Sequence, residues 1–361
     1  MTKHRTSGNS ATRRTILGGA LTLAVGTLGG FAPAQADDLK GTVTLMAYSG
    51  LFQDKYTEAV VKPFEKAHPG VTVKYYTTGN SAQMLGTLRA QKGSPQVDVV
   101  IFDASTSLIG DKEGLLAKLP VSENPVIGEL SKQAIIKKGY GPAVTFDNLV
   151  FVYSKKAFPT PPTSIDALWD KKLKGRLGIS SMPNIQGAAL LAIVAKSLGE
   201  DYTKSVSKAV DKLATLSPSV QTFDPKPDGY TMVLNGDLDM ATGWNARAQF
   251  YAQKNPDKLG VMLPKEGSVL QINTINLVKG APNTPAAKAF IDYALSAKAQ
   301  KAFTEAMYYA PVNPKAKISA EAGAKTAASK LDQMLPFDWA WEATVAGKWT
   351  KDWQRKIVPG R

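Results

Sequence analysis

Thr42-Val43-Thr44-Leu45-Met46-Ala47-Tyr48-Ser49-Gly50 is a short apolar run, rich in β-branched residues, that ends on a turn glycine. That is the pattern of a buried strand. After it, Tyr56, Val60, Phe64 and Ala67 recur near a helical period, with a kink expected at Pro63 because proline has no N–H to give. Residues 71–76 and 97–102 are again apolar and short. Strand, helix and strand in this order predict parallel α/β layering. The alternation continues through strands expected at 149–153, 177–180, 238–241 and 261–263 and helices at 187–198 and 286–303. Thr284 is the expected N-cap of the last of these, with Pro285 at its first position. The fold class is therefore α/β with mostly parallel sheets. In such sheets ligands bind beyond the carboxyl ends of the strands.

The 361 residues begin with a separate kind of segment. Lys3, Arg5, Arg13 and Arg14 precede an apolar, Gly-rich run at 16–32, and Ala34-Gln35-Ala36 follows before the first acid, Asp37. This order predicts a secretory signal peptide over 1–36, cleaved after Ala36, and a periplasmic product. Thr12-Arg13-Arg14-Thr15-Ile16-Leu17 resembles a twin-arginine signal, although Ile16 and Gly18 depart from it, so both export routes stay open. No later run is apolar and long enough to span a bilayer.

Losing those four cations takes the formal charge from +14 to +10. The lysines are scattered and not interleaved with aromatics, which argues against nucleic acid as a partner. A basic surface on an exported protein suits anionic small molecules or anionic lipid headgroups. There is no cysteine, which removes disulfides, thiol catalysis and Cys–zinc sites. The only histidine after the leader is His68, in the turn Lys66-Ala67-His68-Pro69-Gly70. A histidine triad and a His-rich metal site are thus excluded, and neither cofactor nor metal is expected. Ser205-Val206-Ser207-Lys208 fits the S-x-x-K pattern of serine acyl enzymes, but K-T-G is absent and the segment reads as a polar helix face. A secreted serine hydrolase on Ser205 and Lys208 is the rival from another class. The 325 residues after the leader suit two lobes.

Several segments, in order, resemble the periplasmic solute-binding proteins of ABC importers, above all the spermidine/putrescine-binding group and its relatives for iron, thiamine, phosphonates and opines. They are the 42–50 run, Val61-Lys62-Pro63-Phe64-Glu65-Lys66, Val97-Asp98-Val99-Val100, Asp147-Asn148-Leu149-Val150-Phe151-Val152-Tyr153, Leu173-Lys174-Gly175-Arg176-Leu177 and Ala310-Pro311-Val312-Asn313. The resemblance covers about residues 40–357. It implies a type II two-lobe fold with the ligand in the cleft: lobe one from 37–146 plus 274–309, lobe two from 150–270 plus 313–361. It also implies a monomer that carries a small solute to an ABC permease at the inner membrane and is not an enzyme.

Polyamine-binding relatives hold ammonium groups with carboxylates. Here the corresponding positions are the neutral Gln186 and Asn273, and one acid remains at Asp103. Aromatic contacts map to Phe52, Trp244 and Tyr309, and Ser49, Ser105 and Asn184 complete the implied set. Burying a polycation without charge partners is costly. In Trp244-Asn245-Ala246-Arg247 the first and last residues share a face at i, i+3 spacing, in the first turns of a helix. A guanidinium at a helix N-terminus suits a carboxylate or phosphonate; a surface salt bridge is the plain alternative for Arg247. The turn at 180–187 is read either as a second set of cleft-facing N–H groups or as an ordinary helix cap. Tyr308-Tyr309 resembles the paired tyrosines of iron binders but sits elsewhere along the chain. The expected solute is anionic or zwitterionic: an opine, an aminophosphonate or a carboxylated amine. A polyamine is the alternative.

Overall fold

The computed structural model describes residues 39–360; the expected leader and its Ala36 cleavage site lie outside them. Among the described residues ten strands are hydrogen-bonded together. They are β1 (Gly41–Tyr48), β2 (Val71–Thr78), β3 (Val99–Asp103), β4 (Ala143–Ser154), β5 (Leu177–Gly178), β6 (Val220–Thr222), β7 (Met240–Trp244), β8 (Leu259–Met262), β9 (Ser268–Leu277) and β10 (Met334–Leu335). Before β4 lie the helices α1 (Leu51–Tyr56), α2 (Lys62–Ala67), α3 (Ser81–Ala90) and α4 (Ala104–Lys112). Between β5 and β8 lie α5 (Ile185–Ser197), α6 (Ser207–Ala214), α7 (Gly229–Asn235) and α8 (Asn245–Lys254). After β9 come α9 (Thr284–Leu295), α10 (Ala297–Met307), α11 (Ala320–Lys325) and α12 (Trp339–Lys356).

Eight lie along one path, in the order β2-β1-β3-β9-β4-β7-β5-β6, with β8 added beside β4 and β10 beside β9. β1, β2 and β3 run parallel, as do β5, β6 and β7. Between these groups, β4 changes partner along its length: 143–148 pair with β9, and 149–154 with β7 and β8. β9 in turn joins β4 to β3. Two long strands therefore carry the sheet from one half to the other. One half packs Val43, Leu45, Phe52, Phe64, Ile101 and Phe290; the other packs Leu149, Phe151, Leu177, Leu213 and Trp353. In the second half α5 is buried on every side from Gly187 to Ala195, which explains its unbroken apolar sequence.

Several local readings change. The helix expected at 286–303 is two helices, broken where Ser296 turns extended and caps Ala299. The first of them is capped by Asn283, one residue before Thr284, with Pro285 where it was expected. The helix before β2 carries a π-helical stretch at Thr57–Val61 just ahead of Pro63, so the irregularity takes that form. Phe146, Asp147 and Asn148 belong to β4, and all of β9 is strand, although polar Gln271, Asn273, Thr274 and Asn276 hide its pattern.

Candidate ligand site

The carboxyl ends of β1 and β3, the partner switch of β4 and the carboxyl end of β7 converge on one region. β7 runs into α8 through Trp244, the N-cap, which supplies no side-chain cap. The cap comes from elsewhere: Asp147 Oδ1 on β4 accepts the Ala246 N–H at 3.0 Å and the Asn148 N–H at 2.9 Å. The N-terminus of α8 is thus closed by the protein's own carboxylate. This corrects the expectation that it opens on the cleft. Asp147 Oδ2 is buried and accepts no hydrogen bond. Burial pushes this carboxyl up to about 7, against the backbone N–H bonds and the nearby Arg247 that favour its charge.

Arg247 follows in the first turn of α8, half-buried. Its guanidinium makes no hydrogen bond and no ion pair among the described residues, so the salt-bridge alternative is not realised there. Burial opposes its charge, while Tyr230, Tyr309, Asp228 and Tyr251 favour it, and the balance raises its basicity. Tyr230 braces the turn, receiving the Trp244 N–H at 2.6 Å and donating to the Trp244 carbonyl at 3.2 Å. Gly243 makes room for this ring, since a Cβ there would lie 2.5 Å from Tyr230 Cε1. Trp244 itself is half-buried against the second core.

Tyr309 approaches from the other half. Its ring stacks on Phe303 at 5.4 Å and meets Phe52 edge-on at 5.7 Å. The phenol lies within electrostatic reach of Arg247 and Asp147, and burial raises its pKa. Phe52 is 1% exposed, in the core behind Tyr48 and Tyr309, so it supports these rings from below.

The rest of the lobe-one edge is a polar network. Tyr48 donates to Asn273 Oδ1 at 3.0 Å and shares a 2.9 Å hydrogen bond with Ser81 Oγ. Asn273 also accepts from Gln271 at 2.7 Å and donates to Thr145 at 2.9 Å. It is buried and engaged on both its oxygen and its nitrogen. Asp103 caps α4 through Oδ1, which accepts from Ser105 Oγ at 2.7 Å and Thr106 N at 2.8 Å, and its Oδ2 accepts no bond. Ser49 is exposed just past β1, with its N–H bonded to Thr78.

In the turn after β5, exposed Asn184 caps α5 by accepting the Gln186 N–H at 2.9 Å. The Ser180, Ser181, Asn184 and Gly187 N–H groups are likewise spent within the protein. This is the helix-cap arrangement. Gln186 keeps its side-chain nitrogen unengaged, while its oxygen accepts from Ser180 Oγ at 3.1 Å. Gly187 lets the turn fold tightly: a Cβ there would lie 2.7 Å from Met182 N.

Sequence reasoning passed over Tyr48, Asp147, Tyr230 and Glu342. The signal for Asp147 was an acid inside an otherwise apolar strand; that for Glu342 was an acid three residues after Trp339, on a tryptophan stripe. Ser205 Oγ shares a 2.9 Å hydrogen bond with Ser207, and Glu200 accepts the Lys208 and Ala209 N–H groups at the start of α6. No hydrogen bond joins the Ser205 and Lys208 side chains. His68 ends α2 with its ring 4.6 Å from that of Phe64. Among the described residues no three His, Cys, Asp or Glu side chains gather as a metal site, and no helix is long and apolar enough to cross a membrane.

The bacterial extracellular solute-binding protein family model matches residues 59–330. The chain belongs to this family. It is 28% identical to the gamma-aminobutyric acid-binding protein of Pseudomonas aeruginosa, over 78% of this chain and 79% of that relative. It is 23% identical to the spermidine/putrescine-binding periplasmic protein of Escherichia coli, over 94% and 98% of the two chains. The crystal structure of an ABC transporter substrate-binding protein from Bradyrhizobium japonicum superposes with a TM-score of 0.76 at 26% identity, covering 88% of this chain and all of that one. The two relatives are binding proteins and the third is an ABC transporter substrate-binding protein, and the fold is the type II periplasmic one expected from the sequence.

Proposed function

We propose that this solute-binding protein carries a small anionic or zwitterionic solute, with a carboxylated amine the foremost candidate, and that Arg247 holds the anionic group. One observation carries the reading: a half-buried guanidinium without a hydrogen-bond or ion-pair partner among the described residues, near Trp244, Tyr230 and Tyr309, at the meeting of the two halves. Leaving such a donor set unpaired costs free energy, and a carboxylate or phosphonate would recover it through charge-assisted bonds. The gamma-aminobutyric acid-binding relative supports this ligand class. The site holds the ligand without reacting with it. Binding draws together the lobes, 37–146 plus 274–309 and 150–270 plus 313–361, about β4 and β9. The closed form then presents the solute to an ABC permease at the inner membrane. The protein acts as a periplasmic monomer after cleavage behind Ala36, and N-terminal sequencing of secreted protein should begin at Asp37.

The test of the ligand class is a thermal-shift screen of 4-aminobutanoate, opines, 2-aminoethylphosphonate, putrescine and spermidine on wild type and Arg247→Ala. Carboxylated or phosphonated amines should raise the melting temperature of wild type and lose that effect in the variant. Stabilisation by polyamines alone, equal in both proteins, would restore the polyamine reading.

A further inference from the structure

We propose that Glu342, on the C-terminal helix, forms with Asp103 a second, cation-binding end of the same site, so that the solute is a zwitterion whose ammonium and anionic groups are separated along the chain. This rests on the reading of Arg247 above. The buried positions of α12 are Trp339, Glu342, Trp349 and Trp353, an apolar stripe with one acid in it. Glu342 is 5% exposed, and its carboxylate has no hydrogen-bond or ion-pair partner among the described residues. An acid kept in such a place without a partner is costly, and an ordinary core would carry an apolar residue there.

The surroundings point to what it meets. α12 packs against α4, whose N-cap is Asp103. The two carboxylates lie within electrostatic reach of one another, and burial together with Asp103 pushes Glu342 up to about 7. Asp103 keeps Oδ2 free after capping α4. Two carboxylates on packed helices within electrostatic reach of each other, with no third ligand for a metal among the described residues, suit a protonated amine. Electrostatic neighbours connect the two ends: Asp103 and Tyr309 both act on Tyr48, and Tyr309 acts on Arg247. The cation end and the anion end thus flank a pair of tyrosines whose rings can cover the methylenes between them.

The experiment is calorimetry with matched pairs that differ only in the amine: 4-aminobutanoate against butanoate, 5-aminopentanoate against pentanoate, and 6-aminohexanoate against hexanoate. Wild type should prefer the amine of at least one pair by about 10- to 100-fold. Glu342→Gln should bring that ratio close to one, and Asp103→Asn, which can still cap α4, should lower it in the same direction. Thermal melting checks that both variants fold. A ratio near one in wild type, or one retained in Glu342→Gln, would overturn the proposal. Arg247→Ala separates the two readings: affinity for both members of a pair undiminished there defeats the anion end, whereas the Glu342→Gln ratio alone decides the cation end.

Discussion

Asn273 and Arg247 are both polar groups placed where the two halves meet, and the structure treats them in opposite ways. Asn273 is buried and engaged by Tyr48, Gln271 and Thr145, so its amide belongs to the framework that fixes Tyr48. Arg247 is half-buried and engaged by nothing among the described residues. Asn273 stands out in the sequence as a neutral amide where polyamine binders carry an acid, and Arg247 as a guanidinium in the first turns of a helix. Unspent hydrogen-bonding capacity is what separates a group that waits for a ligand from one that holds the fold.

The contrast is open to direct tests. The largest effect is expected at Asp147, which carries a buried, half-engaged carboxylate on the same strand switch. Its folded pKa of about 7 lies above the ordinary 3.8, so the folded chain keeps a proton that the unfolded chain releases. Stability from this group is full below about pH 4 and is lost as pH rises through about 7. Asp147→Asn keeps the acceptor for Ala246 and removes this loss, so its gain over wild type should grow across that window to on the order of 4 kcal/mol at pH 8. Denaturant melts from pH 4 to 8 check it; a constant offset between the two proteins would show that Asp147 is not held neutral.

Next comes Asn273→Ala, which orphans buried partners on β4, β9 and β1 and should cost about 2–4 kcal/mol of stability. Arg247→Ala should cost little or no stability, because no internal bond is lost. Equal destabilisation by the two would dissolve the contrast. The smallest effect is expected at Trp244: Trp244→Ala should weaken solute binding by about 1–2 kcal/mol with the fold intact, since the ring is half-buried and stacks on ligand only in the bound state. Calorimetry showing unchanged affinity would make it a packing residue of the second core.

Much of this arrangement was legible in the chain, for reasons that differ by element. β3 and the second half of β1 read clearly because burial of consecutive residues makes them continuously apolar. β9 did not, because Gln271, Asn273, Thr274 and Asn276 satisfy one another and the adjacent strands inside the sheet, and no periodicity announces that. Trp244 and Arg247 were legible from i, i+3 spacing after a glycine. The Asp147 cap on their helix was not, because it joins residues 99 positions apart. Phe52 shows the reverse: an aromatic at a matching position can be the support of other rings, here Tyr48 and Tyr309. Glu342 was hidden by its neighbours, since four tryptophans between 339 and 353 read as packing and drew attention from the one acid on their stripe.

The central claim is that Arg247 receives the anionic group of the solute, and calorimetry of wild type, Arg247→Ala and Arg247→Lys addresses it most directly. With 4-aminobutanoate, 2-aminoethylphosphonate and opines as titrants, Arg247→Ala should weaken the best ligand about 10- to 150-fold. Arg247→Lys should restore only part of it, because an ammonium lacks the planar two-donor fork. Tight binding of putrescine or spermidine to wild type, undiminished in Arg247→Ala, would contradict the account.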